Sequence, residues 1–410
     1  MSQTALDTCF STSGVNKKPV YTVEDVPANS VLLARSREEA RSVPSGTIEL
    51  AFCPETGFIT NQAFAEDRVD YNDEYESTQA FSDTFSAFHR RLANDLIDRY
   101  DLRDKTVLEI GCGNGEFLTL LCELGPNEGV GFDPAYRPER NPQSDADELT
   151  FIQDFYSEDY AHLSADFVCC KMTLEHIPDV ANFVGTVRRA VGDDRETVVF
   201  FQVPEARRIF REGAFWDIYH EHCSYFSSGS LARLFRSQGF DVQALWTAYD
   251  DQYLMIEARP RTGPAAAPLA DEESPREMAE DAARFSEQVP DRIEAWKRLL
   301  GACDREGLRV ALWGGGSKAV AFLTTLDLGG EVDTVIDINP HKQGTFLPGT
   351  GHEIVGPEAL SSDPPEIVII MNPIYHDEIQ ADLEGLDLNP QLWHVDADPT
   401  QLQGAHVRAA

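Results

Sequence analysis

The chain has 410 residues and carries 70 acidic against 34 basic side chains, which gives a net charge of −36. A chain this acidic is a poor ligand for nucleic acid, because phosphate binding needs clustered Lys and Arg. The acids are dispersed and Lys is scarce. This pattern is typical of a surface adapted to high salt, where screening weakens self-repulsion; an acidic patch for a basic partner is the alternative.

The length exceeds that of one typical domain and predicts two or three. The N-terminus MSQTALDTCF has no basic region followed by an apolar run, so we expect no signal peptide. A run of about 18 apolar residues, which a membrane span would need, does not occur. We therefore expect a soluble, cytoplasmic protein whose eight Cys side chains stay reduced.

Taken in chain order, the patterns predict four segments of an α/β protein. Residues 1–80 hold short β-like runs in an irregular N-terminal module. Residues 81–258 begin with a helical pattern and continue as alternating strands and helices, which predicts a doubly wound parallel sheet. Residues 259–305 contain a Pro-, Ala- and acid-rich linker and a charged helix. Residues 306–400 repeat the strand–helix alternation in a second, smaller α/β unit.

A glycine-rich turn, VLEIGCGNGEFL, follows the first strand of the central segment. Gly111, Gly113 and Gly115 allow a tight turn into a helix near Glu116, whose N-terminus favours a negative group such as a carboxylate. With Glu109 the pattern is E-x-G-x-G-x-G, not the G-x-G-x-x-G of dinucleotide-binding proteins. It resembles motif I of class I methyltransferases. The resemblance implies that this turn holds the methionine end of S-adenosylmethionine (SAM).

Acidic residues also end the next two strands. Asp133 of GVGFDP lies about 20 residues beyond the turn, where an acid can accept both ribose hydroxyls. Asp154 of FIQDF resembles the acid that binds the adenine amino group, with Phe155 beside the ring. Three signals in order at successive strand ends favour a complete SAM site, although each alone is compatible with a solvated turn.

The run FWDIYHEHCSYFS concentrates hydrogen-bonding and ionisable groups in Tyr219, His220, Glu221 and His222. Two His at i and i+2 invite a metal interpretation, but this is not the helical i, i+4 ligand spacing and no third ligand is evident. Proton transfer is the better interpretation. His accepts a proton near neutral pH, and a nearby Tyr can stabilise an oxyanion. His176 of LEHIPD is either a second cleft residue or a packing residue.

With motifs spread over nearly its whole length, the chain resembles the sugar C-methyltransferases of deoxysugar biosynthesis. The matching motifs are FCPETGFITNQAF with DYNDEYESTQAFS, LEIGCGNGEFL, LEHIPD, YHEHCSYFS and the run from WGGGSKA to DINPHKQGTFLPG. The resemblance implies a zinc-binding N-terminal module, a central class I methyltransferase Rossmann-like sheet and a smaller C-terminal Rossmann-like domain.

The family resemblance also implies roles for residues. His222 resembles the general base that removes a proton from the carbon next to a ketone. Glu221, Tyr75 and His176 resemble the groups that orient the substrate and stabilise the enolate, and Tyr219 belongs to the same candidate set. The enolate carbon would then attack the SAM methyl group. This chemistry is coherent, because an enolate oxygen needs hydrogen-bond donors.

The N-terminal module departs from the family pattern of paired C-x-x-C knuckles. Cys9 is followed three residues later by Thr12, and Cys53 by Thr56, so each pair has lost its second Cys. Two thiolates do not close a tetrahedral structural site. We predict that the chain binds no metal, and the departure weakens the transfer of substrate identity.

The C-terminal unit contains Gly314, Gly316 and Ala319 after a strand, and Asp337 about 20 residues later. Taken alone, this is a credible NAD fingerprint. The family resemblance implies instead that this domain helps to hold a nucleotide-sugar. The candidate substrate-binding residues, some of which can equally be solvated turn residues, are Lys318, Asn339, Lys342 and Gln343.

Three functions stay open from sequence: C-methylation of a keto-sugar nucleotide, O- or N-methylation of another small metabolite, and binding without catalysis. The intact glycine turn and Asp133 argue against the third. We expect a small-molecule substrate and neither nucleic acid nor membrane as a partner. The sugar, its carrier and the oligomeric state are not determined.

Overall fold

A computed structural model describes residues 8–12, 17–71, 74–141, 143, 146–328 and 330–402. The strands are β1 (Lys18–Pro27), β2 (Ser45–Phe52), β3 (Ile59–Asn61), β4 (Thr106–Ile110), β5 (Glu128–Phe132), β6 (Leu149–Ile152), β7 (Phe167–Lys171), β8 (Val198–Pro204), β9 (Ser224–Tyr225), β10 (Phe240–Ala248), β11 (Tyr253–Pro260), β12 (Val310–Trp313), β13 (Thr334–Ile336), β14 (Ile354–Val355), β15 (Ile367–Ile370) and β16 (Gln391–His394). The α-helices are α1 (Arg37–Ser42), α2 (Asp83–Tyr100), α3 (Glu116–Leu124), α4 (Val180–Val191), α5 (Ala206–Glu212), α6 (Ser228–Ser237), α7 (Pro275–Glu306), α8 (Ser317–Leu326) and α9 (His376–Gly385).

The central sheet has seven strands in the order β10-β11-β8-β7-β4-β5-β6. Strands β4 to β8 are parallel, and β11 is antiparallel to both of its neighbours. All five residues of β7 are buried, as are the first six of β8. Continuous burial of this kind is expected of a sheet covered on both faces. The predicted doubly wound α/β fold is confirmed.

The N-terminal segment forms an antiparallel sheet in the order β1-β2-β3-β9. Its fourth strand, β9, comes from far along the chain, because Ile59 pairs with Tyr225 and Thr60 with Ser224. The YHEH run immediately precedes β9. The N-terminal sheet therefore anchors the segment in which the sequence concentrates candidate catalytic groups.

The C-terminal unit is a parallel five-stranded sheet in the order β14-β13-β12-β15-β16. One hydrophobic cluster joins it to the N-terminal sheet, and it includes Ile48 of β2, Trp296 of α7 and Phe322 of α8. The long helix α7 begins at a capping box formed by Ser274 and Glu277. Because these elements share one core, the units are fixed against each other. No helix of the described part of the chain is both long and apolar enough to cross a bilayer.

Candidate active site

A single cavity of about 1310 Å³ lies where the three sheets meet. The central sheet contributes the residues that follow β4, β5, β6 and β7, and the C-terminal sheet contributes those that follow β12 and β13. Tyr71 and Tyr75 line it from the N-terminal segment. Ligands of open α/β sheets bind outside the carboxyl ends of the strands, and this cavity occupies that position for both parallel sheets.

The glycine turn after β4 has the backbone conformation that the sequence pattern requires. Gly111, Gly113 and Gly115 have φ values of 71°, 55° and 83°, which side chains other than hydrogen disfavour. A Cβ on Gly111 would lie 1.9 Å from Oγ1 of Thr173, and one on Gly115 would lie 2.4 Å from the ring of Phe151. A Cβ on Gly113 would meet no atom closer than 3.9 Å, and Gly113 lines the cavity. The backbone of Gly113 is therefore open to a ligand. At the other two glycines, the missing side chain makes room for neighbouring protein atoms.

Asp133 and Asp154 line the same cavity. The carboxylate of Asp133 accepts hydrogen bonds of 2.8 Å from the N–H groups of Gly113 and Ala135. Burial nevertheless raises the pKa of Asp133 to about 6. Asp154 accepts a 2.6 Å hydrogen bond from the hydroxyl of Tyr160. Phe155 is 61% exposed and borders the cavity, so an apolar ring face lies beside a carboxylate there.

Three ionisable side chains line the cavity close to the glycine turn: Glu109 and two residues that sequence reasoning missed, Lys171 and His89. Burial raises the pKa of Glu109 to about 7, although the nearby ammonium of Lys171 opposes this. Lys171 Nζ lies 3.2 Å from Nε2 of His89 and 4.0 Å from the ring centre of Phe117. Burial, together with Lys171, lowers the pKa of His89 to about 2, so this imidazole is neutral. A buried cation and a buried carboxyl beside the glycine turn suit a ligand that carries both charges.

The imidazoles of His222 and His176 line the cavity and pack edge to face, with ring centres 4.7 Å apart. The hydroxyl of Tyr71 lies 2.9 Å from Nδ1 of His176. Burial lowers the pKa of His176 to about 4, and burial together with the His176 imidazole lowers that of His222 well below its ordinary value. Both rings are therefore neutral near pH 7, the form that can accept a proton. Tyr71 belongs to the DYNDEYES motif, and that motif was the available signal for it.

Glu221 points toward the N-terminal segment. Its carboxylate accepts hydrogen bonds from the backbone N–H of Ser30 at 3.0 Å, from the Ser30 hydroxyl and from Nδ2 of Asn29 at 3.3 Å. Burial outweighs these donors and raises the pKa of Glu221 to about 7. The Ser30 hydroxyl also lies 2.8 Å from that of Ser317 in the C-terminal glycine loop. Tyr75 lines the cavity, and burial raises its pKa well above 10, so its phenol stays a hydrogen-bond donor.

Tyr219 and Lys318 meet at Asp217, which sequence reasoning left out although it lies in the FWDIYHEH run. The Tyr219 hydroxyl donates to Asp217 at 3.1 Å, and Asp217 forms ion pairs with Lys318 and, at 2.5 Å, with Arg208. Burial opposes ionisation of Asp217, but the two cations outweigh it and lower its pKa to about 2. The ammonium of Lys318 thus lies beside the segment that carries the YHEH run.

The other three candidate substrate residues gather around Asp337. Asp337 accepts from the N–H groups of Gly315 at 2.9 Å and Asn339 at 2.8 Å, and it pairs with Lys342 at 3.5 Å. Asn339 and Lys342 line the cavity. Gln343 lies outside the lining, and its side chain donates to the Asp337 backbone carbonyl at 3.0 Å. The Asp337 carboxylate therefore holds together the loops that follow β12 and β13, as Asp133 does for the glycine turn after β4.

The N-terminal module does not fit a structural zinc ion. Among the residues that the structure describes, Cys9, Cys53 and Glu55 bring three donor atoms within 4.8 Å of one another. A closed zinc site needs four. The ammonium of Lys17 also interacts electrostatically with both thiols, and a fixed cation there disfavours a second one. The absence of metal stays a prediction until it is measured.

A second close group of donor atoms belongs to Glu175, His176 and His222, again within 4.8 Å of one another. Burial raises the pKa of Glu175 to about 8, which leaves a neutral carboxyl at pH 7. We interpret the group as a proton-transfer cluster. Glu175 carried no signal of its own in the LEHIPD motif.

The doubly wound sheet, the glycine turn and the two acidic strand ends define a SAM-dependent methyltransferase. Comparison with known proteins agrees with this class. A methyltransferase-domain family model matches residues 85–245, and a model of the C-methyltransferase C-terminal domain matches residues 255–389. The C-methyltransferase NovU of Streptomyces niveus is 30% identical over 308 residues, which cover 71% of this chain and 72% of NovU. The chain belongs to this C-methyltransferase family.

Solved methyltransferase structures overlap with this chain only in part. The 1,6-didemethyltoxoflavin N1-methyltransferase of Burkholderia thailandensis is 18% identical, covers 44% of this chain and 84% of its own, and has a TM-score of 0.34. The magnesium protoporphyrin IX methyltransferase of Synechocystis is 15% identical, with coverages of 43% and 84% and the same TM-score. Membership of the family rests on the sequence matches.

Proposed function

We propose that this protein transfers the methyl group of SAM to a carbon next to the ketone of a nucleotide-linked keto sugar, with His222 as the general base. One observation carries the proposal: the neutral imidazole of His222 lines the same cavity as the open backbone of Gly113. A proton acceptor and the cofactor turn therefore line the same cavity. The family relationship to NovU, a C-methyltransferase by name, supports carbon as the acceptor.

The residues around the glycine turn fit SAM as the cofactor. The methionine end of SAM would lie against the backbone of Gly113, with Glu109 and Lys171 beside its charged groups. Asp133 would accept hydrogen bonds from the ribose hydroxyls. Asp154 would accept a hydrogen bond from the adenine amino group, and the ring of Phe155 would pack against the adenine ring. When bound, SAM supplies an electrophilic methyl group. The exposed apolar face of Phe155 beside a carboxylate is the observation that favours an aromatic amine at that end.

The catalytic groups act on the substrate. His222 takes the proton from the carbon next to the ketone, and the C–H electron pair becomes the enolate. Tyr75 donates to the enolate oxygen, because burial keeps its phenol protonated. Tyr71 holds the ring of His176, and Asp217 fixes the phenol of Tyr219. Preorganised donors of this kind stabilise charge where it develops.

The C-terminal sheet would hold the nucleotide carrier. Asn339 and Lys342 line the cavity near the loop that follows β12, and the Lys318 ammonium lies between this loop and the catalytic run. Cations and amides at such a loop suit the phosphate and sugar groups of a nucleotide-sugar. Two linked sheets would thus hold cofactor and substrate from opposite sides of one cavity.

Solvent exchange tests the proposal directly. A panel of keto-sugar nucleotides is incubated with the protein and S-adenosylhomocysteine in D2O at high salt, and deuterium at the carbon next to the ketone is followed by NMR. We expect exchange with the wild type and a loss of about 10²- to 10⁴-fold in His222→Gln, the usual contribution of a general base. His220→Gln is the matched control, because His220 stacks on Phe64 and does not line the cavity.

Equal exchange in wild type and His222→Gln would exclude His222 as the base. Methyl transfer to an oxygen or nitrogen atom without any exchange would favour the O- or N-methyltransferase alternative, since that reaction needs no carbon acid. Failure of the protein to bind S-adenosylhomocysteine in a calorimetric titration would favour a non-catalytic binding protein.

A further inference from the structure

Glu175 is a buried acid with no assigned task. It lies in the short 3-10 turn Leu174–His176 that follows β7, and its exposed fraction is 1%. Apart from its own backbone N–H, neither carboxyl oxygen has a hydrogen-bond partner among the described residues. A buried carboxyl without hydrogen-bond partners destabilises the folded state, because it has lost the hydration that it has in the unfolded chain. Such a group is retained at a cost in stability, which suggests that it serves the site it faces.

The group that Glu175 faces is the imidazole pair. One carboxyl oxygen and one ring nitrogen each of His176 and His222 lie within 4.8 Å of one another. All three residues line the cavity. The neighbouring acids are already engaged: Asp217 pairs with Arg208 and Lys318, and Glu221 accepts from Ser30 and Asn29. Among the described residues, Glu175 is the acid of this cluster that has neither an ion pair nor a hydrogen bond from another residue.

Proton abstraction creates a charge that this arrangement must accommodate. When His222 accepts the substrate proton it becomes a buried imidazolium beside a second imidazole, and burial and His176 both disfavour that state. A buried cation is stabilised by an adjacent anion far more strongly than an exposed one. The carboxyl of Glu175 is close enough to supply that anion.

We propose that Glu175 is a positioning residue for His222, whose carboxylate orients the imidazole and balances the positive charge that it gains on proton abstraction. This inference rests on the proposed function. The proton of Glu175 passes to water in the cavity before the reaction. The substrate proton then moves to His222, its C–H electron pair stays on carbon as the enolate, and Glu175 and His222 form an ion pair.

The inference makes activity depend on the ionisation of Glu175. Burial raises its pKa to about 8, so the ionised fraction grows as pH rises from 7 to 9. Within the described ranges, five further titratable groups interact electrostatically with Glu175, and burial raises the pKa of each of them, so they stay neutral in this range: Tyr71, Tyr75, Cys170, Cys223 and Tyr253. Glu221, whose pKa is about 7, completes its ionisation at the lower end of the range.

Histidine NMR tests this coupling without any substrate. Full-length protein with ¹³C-labelled histidine and bound S-adenosylhomocysteine is titrated from pH 6 to 10, and the His222 signal is identified by its loss in His222→Gln. We expect a step in its chemical shift near pH 8 in the wild type and none in Glu175→Gln. Glu205→Gln is the matched control, because burial raises the pKa of Glu205 to the same value and its carboxyl does not line the cavity.

Kinetics give the second readout. We expect the exchange rate of the wild type and of Glu205→Gln to rise about tenfold between pH 7 and 9. In Glu175→Gln we expect a flat profile, at least a tenfold lower rate at pH 9, and KM within twofold of the wild type. Glu175→Asp keeps the acid and should keep the pH-dependent rise at a reduced rate, which covers the case that Glu175→Gln does not fold.

The step near pH 8 would persist in Glu175→Gln if another group caused it, and that result would overturn the inference. A wild type without any step would overturn it as well. A wild type that shows the step but never exchanges deuterium would refute the proposed function, while the electrostatic coupling between Glu175 and His222 would stand.

Discussion

The substitution Gly113→Ala should weaken cofactor binding without preventing folding. The φ of Gly113 is 55°, so Gly113→Ala forces an L-residue into the left-handed region at a cost of roughly 1–2 kcal/mol. The new Cβ meets no protein atom within 3.9 Å, so no clash is added in the free protein. It projects at the position where the proposed cofactor approaches the backbone. We therefore expect a small loss of stability and at least a tenfold weaker affinity for S-adenosylhomocysteine, about 1.4 kcal/mol or more.

The assay is calorimetric titration with S-adenosylhomocysteine, paired with chemical unfolding. Gly307→Ala is the matched control, because Gly307 has a φ of 71°, ends α7 and would place its Cβ in open space. It should lose a similar amount of stability and keep full affinity. The reasoning is refuted if Gly113→Ala binds as tightly as the wild type, or if Gly307→Ala loses affinity equally.

Two further predictions concern metal and pH. Elemental analysis of the purified chain should find no stoichiometric zinc, whereas the double variant Thr12→Cys with Thr56→Cys should bind zinc by restoring four thiols; one zinc per wild-type chain would contradict this. The Asp217 pKa lies near 2 against an ordinary value of 3.8, so its stabilising contribution is present above about pH 4 and is lost as pH falls toward 2. The free energy of unfolding of Lys318→Met should therefore be lower than that of the wild type by roughly 1–3 kcal/mol at pH 7. This difference should shrink between pH 4 and 2. A difference that is constant over that range in chemical unfolding would show that Asp217 is not responsible.

The cofactor side of the site could be predicted because its signals are local. Gly111, Gly113 and Gly115 are close in sequence, and their positive φ angles follow from glycine itself. Asp133 and Asp154 each follow a strand in the parallel part of the central sheet, and the carboxyl ends of such strands meet at one edge. Local patterning and a general rule of topology therefore placed these residues in one cavity.

The catalytic side could be predicted only in part. The YHEH run drew attention to His222, but its partners lie elsewhere in the chain: His176 is held by Tyr71, 105 residues away, and Glu221 by Ser30, 191 residues away. The strand that anchors the run, β9, has two residues. So short a strand has no hydrophobic periodicity that the sequence could reveal. It is a strand only because it pairs with β3, which lies far from it in sequence.

The sequence by itself determined the glycine turn, the doubly wound sheet and the residue types of the proposed proton-transfer site, since backbone preference and hydrophobic patterning act over short separations. Only the tertiary structure decided which groups carry charge there. Burial makes the imidazoles neutral and raises the pKa of Glu175, whereas Arg208 and Lys318 keep Asp217 ionised. Burial and charge pairing depend on packing between distant segments, and no local pattern records them.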